Sequence, residues 1–182
     1  MSLERSLKEI TVTLNRLKRQ GAITGYALIG GLSVSTWGIP RGTKDIDLLV
    51  SLESVYNLKV FSEALEAEGL KSAIYAGGRF DPVPYLVKVI YKDVPVDMLI
   101  ATRKWEDEAI EKAIGVDFHG IKVPVIPVEY LIAMKLKAGG PRDLLDAEEL
   151  LNIGGADPDI LVGLAKRLRV TKRLEKIGRK KK

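Results

Sequence analysis

Leu3, Leu7, Ile10, Leu14 and Leu17 recur at steps of four and three with mostly polar residues between them. Residues 2–19 are therefore predicted to form one amphipathic helix, stopped at Gly21. Its apolar stripe is expected to pack across the core, as a lid or as a dimer surface. The period then changes. Residues 22–29 make an apolar run suited to a buried strand, ending at Gly30-Gly31; a short helical run over 32–37 follows, until Gly38, Pro40 and Gly42 enforce a loop. A second strand is predicted over 45–51, with Val55, Leu58, Phe61 and Leu65 marking a helix behind it, so the order is strand, helix, strand, helix.

Residues 70–75 read as a further strand and the Gly/Pro-rich segment 77–84 as a loop. Residues 85–91 and 94–101 are predicted to form a hairpin around Lys92-Asp93, and 118–126 a second hairpin turning at His119-Gly120. From Pro127 the pattern is helical, over 127–138, 141–152, 158–168 and 171–178. The only compositionally biased segment is the basic C-terminal run.

At 182 residues and 46% hydrophobic, the chain can bury one sizeable core and is too short for two ordinary domains. It has no cysteine, which excludes disulfides, thiolate nucleophiles and Cys-based zinc sites. His119 is its one histidine, which excludes a His-rich metal centre. No uninterrupted apolar run marks a signal peptide or a membrane span, and a soluble cytoplasmic protein is expected. The net charge of +5 is unevenly spread: from Lys166 onward ten lysines and arginines face one acid, Glu175, leaving 19 bases and 23 acids in residues 1–165. The basic end is suited to holding RNA or DNA by its phosphates, or is simply a solvated terminus that aids solubility.

Candidate chemistry starts at Asp45 and Asp47. Two apart in a strand, they project from one face while Ile46, Leu48 and Val50 fill the other. Like charges held so close repel unless a cation lies between them, and carboxylate oxygens are the ligands Mg2+ prefers. Asp97 interrupts an otherwise apolar strand, where a lone carboxylate is expensive. As a third acid it would complete a two-metal site. Upstream, Gly30-Gly31-Leu32-Ser33 lies where a strand turns into a helix. Glycines admit phosphates closely, helix N–H groups point at them, and the Ser33 hydroxyl can add a donor.

Gly30-Gly31-x-Ser33, eleven residues to Asp45-Ile46-Asp47, and Asp97 in a later strand together resemble the signature of the polymerase-beta-like nucleotidyltransferase superfamily, over roughly residues 22–150. The resemblance implies an α+β fold, a mixed twisted sheet flanked by helices, with a nucleotidyltransferase domain over 1–152 and a C-terminal helical extension with a basic tail over 153–182. It implies transfer of a nucleoside monophosphate from a nucleoside triphosphate, ATP among them, to an acceptor hydroxyl, with two Mg2+ ions or Mn2+ in their place. It assigns the β and γ phosphates to Gly30, Gly31 and Ser33, the metals to Asp45, Asp47 and Asp97, and help in activating the acceptor to Asp97.

In the helix 127–138, Lys135 falls on the stripe of Val128, Leu131 and Ile132, where a charge needs a partner or a ligand. The run Lys135 to Asp146 resembles the Lys then Lys/Arg-Asp-x-x-Asp segment of AbiEii-type toxins and small-molecule adenylyltransferases. That match makes Lys135 a phosphate contact supported by Arg142, Asp143 and Asp146; the alternative is an ordinary ion-pair network between helices. Arg41 and Lys44, just before Asp45, are either phosphate contacts or solvated loop charges. The toxin-like branch further implies a partner protein or a tRNA acceptor handled by the basic tail. A non-catalytic, antitoxin-like module that binds a nucleotide or a partner is the rival reading. His119 belongs to a tight turn, Trp37 and Trp105 to the core or its rim, and Ser35 and Thr36 have no activating base nearby.

Overall fold

The computed structural model describes residues 2–78 and 83–178. Helix α1 (Leu3–Arg19) starts where the Ser2 hydroxyl accepts the Arg5 N–H at 3.3 Å. Glu4 sits in its first turn and Arg16, Lys18 and Arg19 in its last, matching the helix dipole at both ends. Leu7, Ile10, Leu14 and Leu17 are each 1% exposed. The stripe is therefore packed across the chain's own core, as its period indicates, and is not left open to a second copy.

That core lies against a sheet of seven strands among the described residues: β1 (Gly25–Leu28), β2 (Ile46–Ser51), β3 (Ser72–Ala76), β4 (Tyr85–Tyr91), β5 (Val94–Ile100), β6 (Ile114–Phe118) and β7 (Ile121–Val125). Their spatial order is β3-β4-β5-β2-β1-β7-β6. Pairing is mixed: β2 runs parallel to β5 and β1 parallel to β7, while the other neighbours are antiparallel. Ile46, Leu48 and Val50 of β2, Val87 and Val89 of β4, and Val96 and Met98 of β5 turn to one face and are almost completely buried there with α1 and α3 (Leu58–Ala67). Period-two alternation then leaves Asp47, Lys88 and Asp97 on the opposite face.

Local boundaries differ from the periodicity in informative ways. The strand expected over 22–29 shortens to β1, and α2 (Gly30–Thr36) begins at the glycine pair itself. The strand near 70–75 is shifted to β3, and the second hairpin starts earlier than expected, at Ile114, although it turns at His119-Gly120 as its sequence indicates. Helix α4 (Lys104–Glu111) was not expected. Its N-cap is Arg103, which has no capping hydroxyl; instead the Glu106 carboxylate accepts the N–H groups of Thr102 and Arg103 at 2.7 and 3.0 Å.

Contacts divide the chain into two compact units: residues 2–32 with the described part of 42–126, which hold the sheet, and Ser33–Arg41 with the described part of 127–182. In the second unit α5 (Val128–Ala138), α6 (Pro141–Ile153), α7 (Pro158–Arg167) and α8 (Thr171–Gly178) follow one another. Gly139 ends α5 in the left-handed conformation, φ 71°, and its bare Cα lets the Arg173 guanidinium of α8 reach the Leu136 and Lys137 carbonyls. A cation on the last carbonyls of α5 is favoured by that helix's dipole. Helix α7 is capped by Asp157, which accepts from Asp159 and Ile160 N–H groups at 2.9 and 3.2 Å, with Pro158 at its first position. No helix among the described residues is long and apolar enough to cross a membrane.

Candidate active site

β2 and β5 run parallel in a register that sets Asp47 directly beside Asp97. β5 and β4 pair so that Lys88 is the next residue in the same row. One line across the sheet therefore reads Asp47, Asp97, Lys88, with every side chain on the same face. Neighbouring strands are about 4.8 Å apart, so the two residues stand side by side on the sheet. The Lys88 ammonium answers them, 3.5 Å from Asp97 Oδ2. Asp45 lies immediately before β2, and its Oδ1 accepts the Thr43 hydroxyl. Asp45, Asp47 and Asp97 are all partly exposed.

The glycine turn is built against the same acids. Gly30 has φ 65°, and a Cβ there would stand 1.9 Å from Asp47 Oδ2; a Cβ on Gly31 would stand 3.0 Å from the Thr43 Cβ. The turn is thus closed down onto Asp47 and Thr43, and only glycine can bring backbone so near a carboxylate. The Ile29 N–H also donates to the Asp47 carbonyl at 2.9 Å. Ser33 is fully buried in α2 and its hydroxyl has no hydrogen-bond partner among the described residues.

In the second unit, Lys135 Nζ lies 2.8 Å from Asp143 Oδ1 and 2.9 Å from Asp146 Oδ2, and Arg41 pairs with Asp146 as well. Lys135 and Asp146 are buried. The structure therefore brings Arg41, Lys135, Asp143 and Asp146 together, while Arg142 and Lys44 are exposed. Arg41 is committed to an ion pair and is not a solvated loop charge. Outside these groups, His119 occupies an exposed left-handed turn with its Nε2 3.1 Å from Glu4, and Trp105 is a buried residue of α4.

Three carboxylates, at the start of β2 and in the middle of the adjacent β5, with a backbone cradle beside one of them, are a donor set that suits Mg2+, a hard ion with oxygen ligands. Among the described residues no three acidic or histidine side chains are already gathered around one point. Two of the acids are turned to protein partners instead, Asp45 to Thr43 and Asp97 to Lys88. Sequence reading missed both partners. A Thr two residues ahead of the first acid was the visible signal for one; Lys88 reaches Asp97 only through strand pairing, which leaves no local signal.

Solved structures confirm the fold at low identity. An antigenic nucleotidyltransferase-like protein of Paracoccidioides brasiliensis is 15% identical at a TM-score of 0.59, over 97% of this chain and 89% of that one. A protein of Thermotoga maritima assigned as a nucleotidyltransferase is 19% identical at 0.55, over 85% and 97%. The antibiotic-resistance factor ANT(2'')-Ia is 17% identical at 0.56, over 93% and 94%. No curated protein matches the chain. The mixed sheet with its helices is that of the nucleotidyltransferases, the α+β class expected from the sequence. A family model, described as the nucleotidyl transferase AbiEii toxin of type IV toxin–antitoxin systems, matches residues 13–180, and the chain belongs to that family of nucleotidyltransferases.

Proposed function

We propose that the protein moves a nucleoside monophosphate from a nucleoside triphosphate to an acceptor hydroxyl in a Mg2+-dependent reaction centred on Asp45, Asp47 and Asp97. The observation that carries this is the register of Asp47 beside Asp97, with Gly30 closed onto the Asp47 carboxylate. Bound at these carboxylates, Mg2+ would neutralise the triphosphate and ease deprotonation of the acceptor. Gly30 and Gly31 receive the β and γ phosphates on backbone N–H groups, and Ser33 supplies a hydroxyl. Asp97 orients the acceptor hydroxyl and takes up its proton. The acceptor oxygen bonds to the α phosphorus, the bond from that phosphorus to the β-phosphate bridging oxygen breaks, and pyrophosphate leaves.

Attacking and leaving oxygens in such a displacement stand roughly in line. The glycine turn follows β1, on one side of β2, whereas Asp97 is on β5, on the other. The pyrophosphate is therefore assigned to the β1 side and the acceptor to the β5–β4 side. On the family resemblance Lys135 contacts substrate phosphate, held ready by Asp143 and Asp146.

Asp47→Asn keeps the shape and removes the charge. Labelled nucleotide transfer with each triphosphate, offered mixed tRNA, sugars and protein as acceptors, should fall by about a thousandfold or more in this variant, by analogy with the loss of a preorganised charge-stabilising group. Full activity would refute the assignment. A tRNA-directed toxin is the acceptor reading favoured by a further observation: Lys166 of α7 and Lys172 and Lys176 of α8 are all exposed, a cationic surface fit for phosphates. The last four residues of the basic run, Arg179 to Lys182, lie outside the described residues.

A further inference from the structure

Lys88 carries the sole charge in β3 and β4, and it falls in register with Asp97. Its ammonium lies 3.5 Å from Asp97 Oδ2 and 5.7 Å from the centre of the Tyr75 ring, whose strand β3 flanks β4 on the edge opposite β5. Tyr75 pairs two residues along from the Ala73–Lys88 pair, so its ring shares the face, and it is 53% exposed. The amine thus has two attractors, a carboxylate and a π face, on a four-carbon stem long enough to lean toward either. Two carboxylates forced side by side by strand register need positive charge when no metal is bound.

We propose that Lys88 is a positioning residue: a built-in counter-ion that holds Asp97 while the site is empty of metal, and that an arriving divalent cation must displace toward Tyr75. This rests on the metal assignment made above for Asp45, Asp47 and Asp97. A cation on Asp97 takes the oxygen that Lys88 now uses and repels the ammonium; the Tyr75 ring receives it, and no bond is made or broken. Lys88 therefore sets the metal concentration at which the site loads. It lowers affinity for the free ion and spares the empty site its like-charge repulsion.

Binding of Mn2+ alone, followed by electron paramagnetic resonance of the free ion, tests this on the full chain without reference to activity. Lys88→Met and Lys88→Gln, two neutral variants of similar length, should each bind Mn2+ about fivefold more tightly than the parent, the scale of one half-exposed charge pair. Lys88→Arg keeps the charge and should bind as the parent does. In the Asp97→Asn background the Lys88→Met effect should vanish, since the pair it relieves is gone. Unchanged or weaker Mn2+ binding in both neutral variants overturns the counter-ion role while leaving the metal site standing. Parent binding that is indifferent to Asp47→Asn overturns the metal assignment itself, and the counter-ion role with it.

Discussion

Adding one methyl group at position 30 would drive a Cβ to 1.9 Å from Asp47 Oδ2 and 2.6 Å from the Asp47 Cβ, in a backbone already at φ 65°. Gly30→Ala therefore combines a left-handed strain of about 1–2 kcal/mol with displacement of the carboxylate on which the site depends. A loss of about 2 kcal/mol or more is expected in chemical denaturation, accompanied by weaker Mn2+ binding. Gly42→Ala is the control, because a Cβ there meets nothing within 4 Å. The constraint at Gly30 also explains why part of the site was legible in the sequence. Gly30, Asp45 and Asp47 lie close together in the chain, so their order and spacing could be matched to the family signature. The contacts of Asp45 with Thr43 and of Asp97 with Lys88 are made by hydroxyl direction and strand register, and neither leaves a periodic trace.

Among the elements, α1 and the β4–β5 hairpin are joined by a clamp at the hairpin's turn. The turn of that hairpin places Lys92 and Asp93 at φ 48° and 69°, a tight connection made without glycine. Glu9 of α1 accepts the Tyr91 hydroxyl and lies 2.9 Å from Lys92 Nζ. Those two hydrogen bonds, Tyr91's first, pull the Glu9 carboxyl down to about 2. A depressed carboxylate contributes stability that is whole above its ordinary range, near 4.5, and is lost as pH falls through about 2. Glu9→Gln should thus be less stable than the parent at about pH 7, and the gap should close between about pH 5 and 2 in acid melts followed by circular dichroism. A gap that is constant with pH would show that the carboxylate charge is not what the clamp uses. Periodicity revealed α1 and this hairpin because each buries a regular stripe, as Leu7 to Leu17 and Val87 with Val89 do. It failed at α4, a helix of eight residues with five charges and no hydroxyl at its N-cap, formed because Glu106 reaches back to two N–H groups.

At the scale of the molecule, charge is segregated, and what the basic end does can be tested without dismantling its helices. Removing residues from 169 onward would take away Val170 and Ile177, both buried, and Arg173, which holds the last carbonyls of α5. A lost function in such a truncation would report lost packing. Lys166, Lys172 and Lys176 are exposed, so Lys→Gln at all three subtracts charge while leaving the helix faces that pack untouched. If this surface holds an RNA acceptor, binding of a labelled single-stranded oligoribonucleotide should weaken at low salt. Each phosphate contact removed should also lower the slope of log affinity against log salt by about 0.7, and the triple variant by about 2. Because that slope counts released ions, a fold defect that merely lowers the active fraction would shift the line without changing its gradient. An unchanged gradient would return these lysines to the role of solvated surface charge and leave acceptor binding to the sheet face around Asp97.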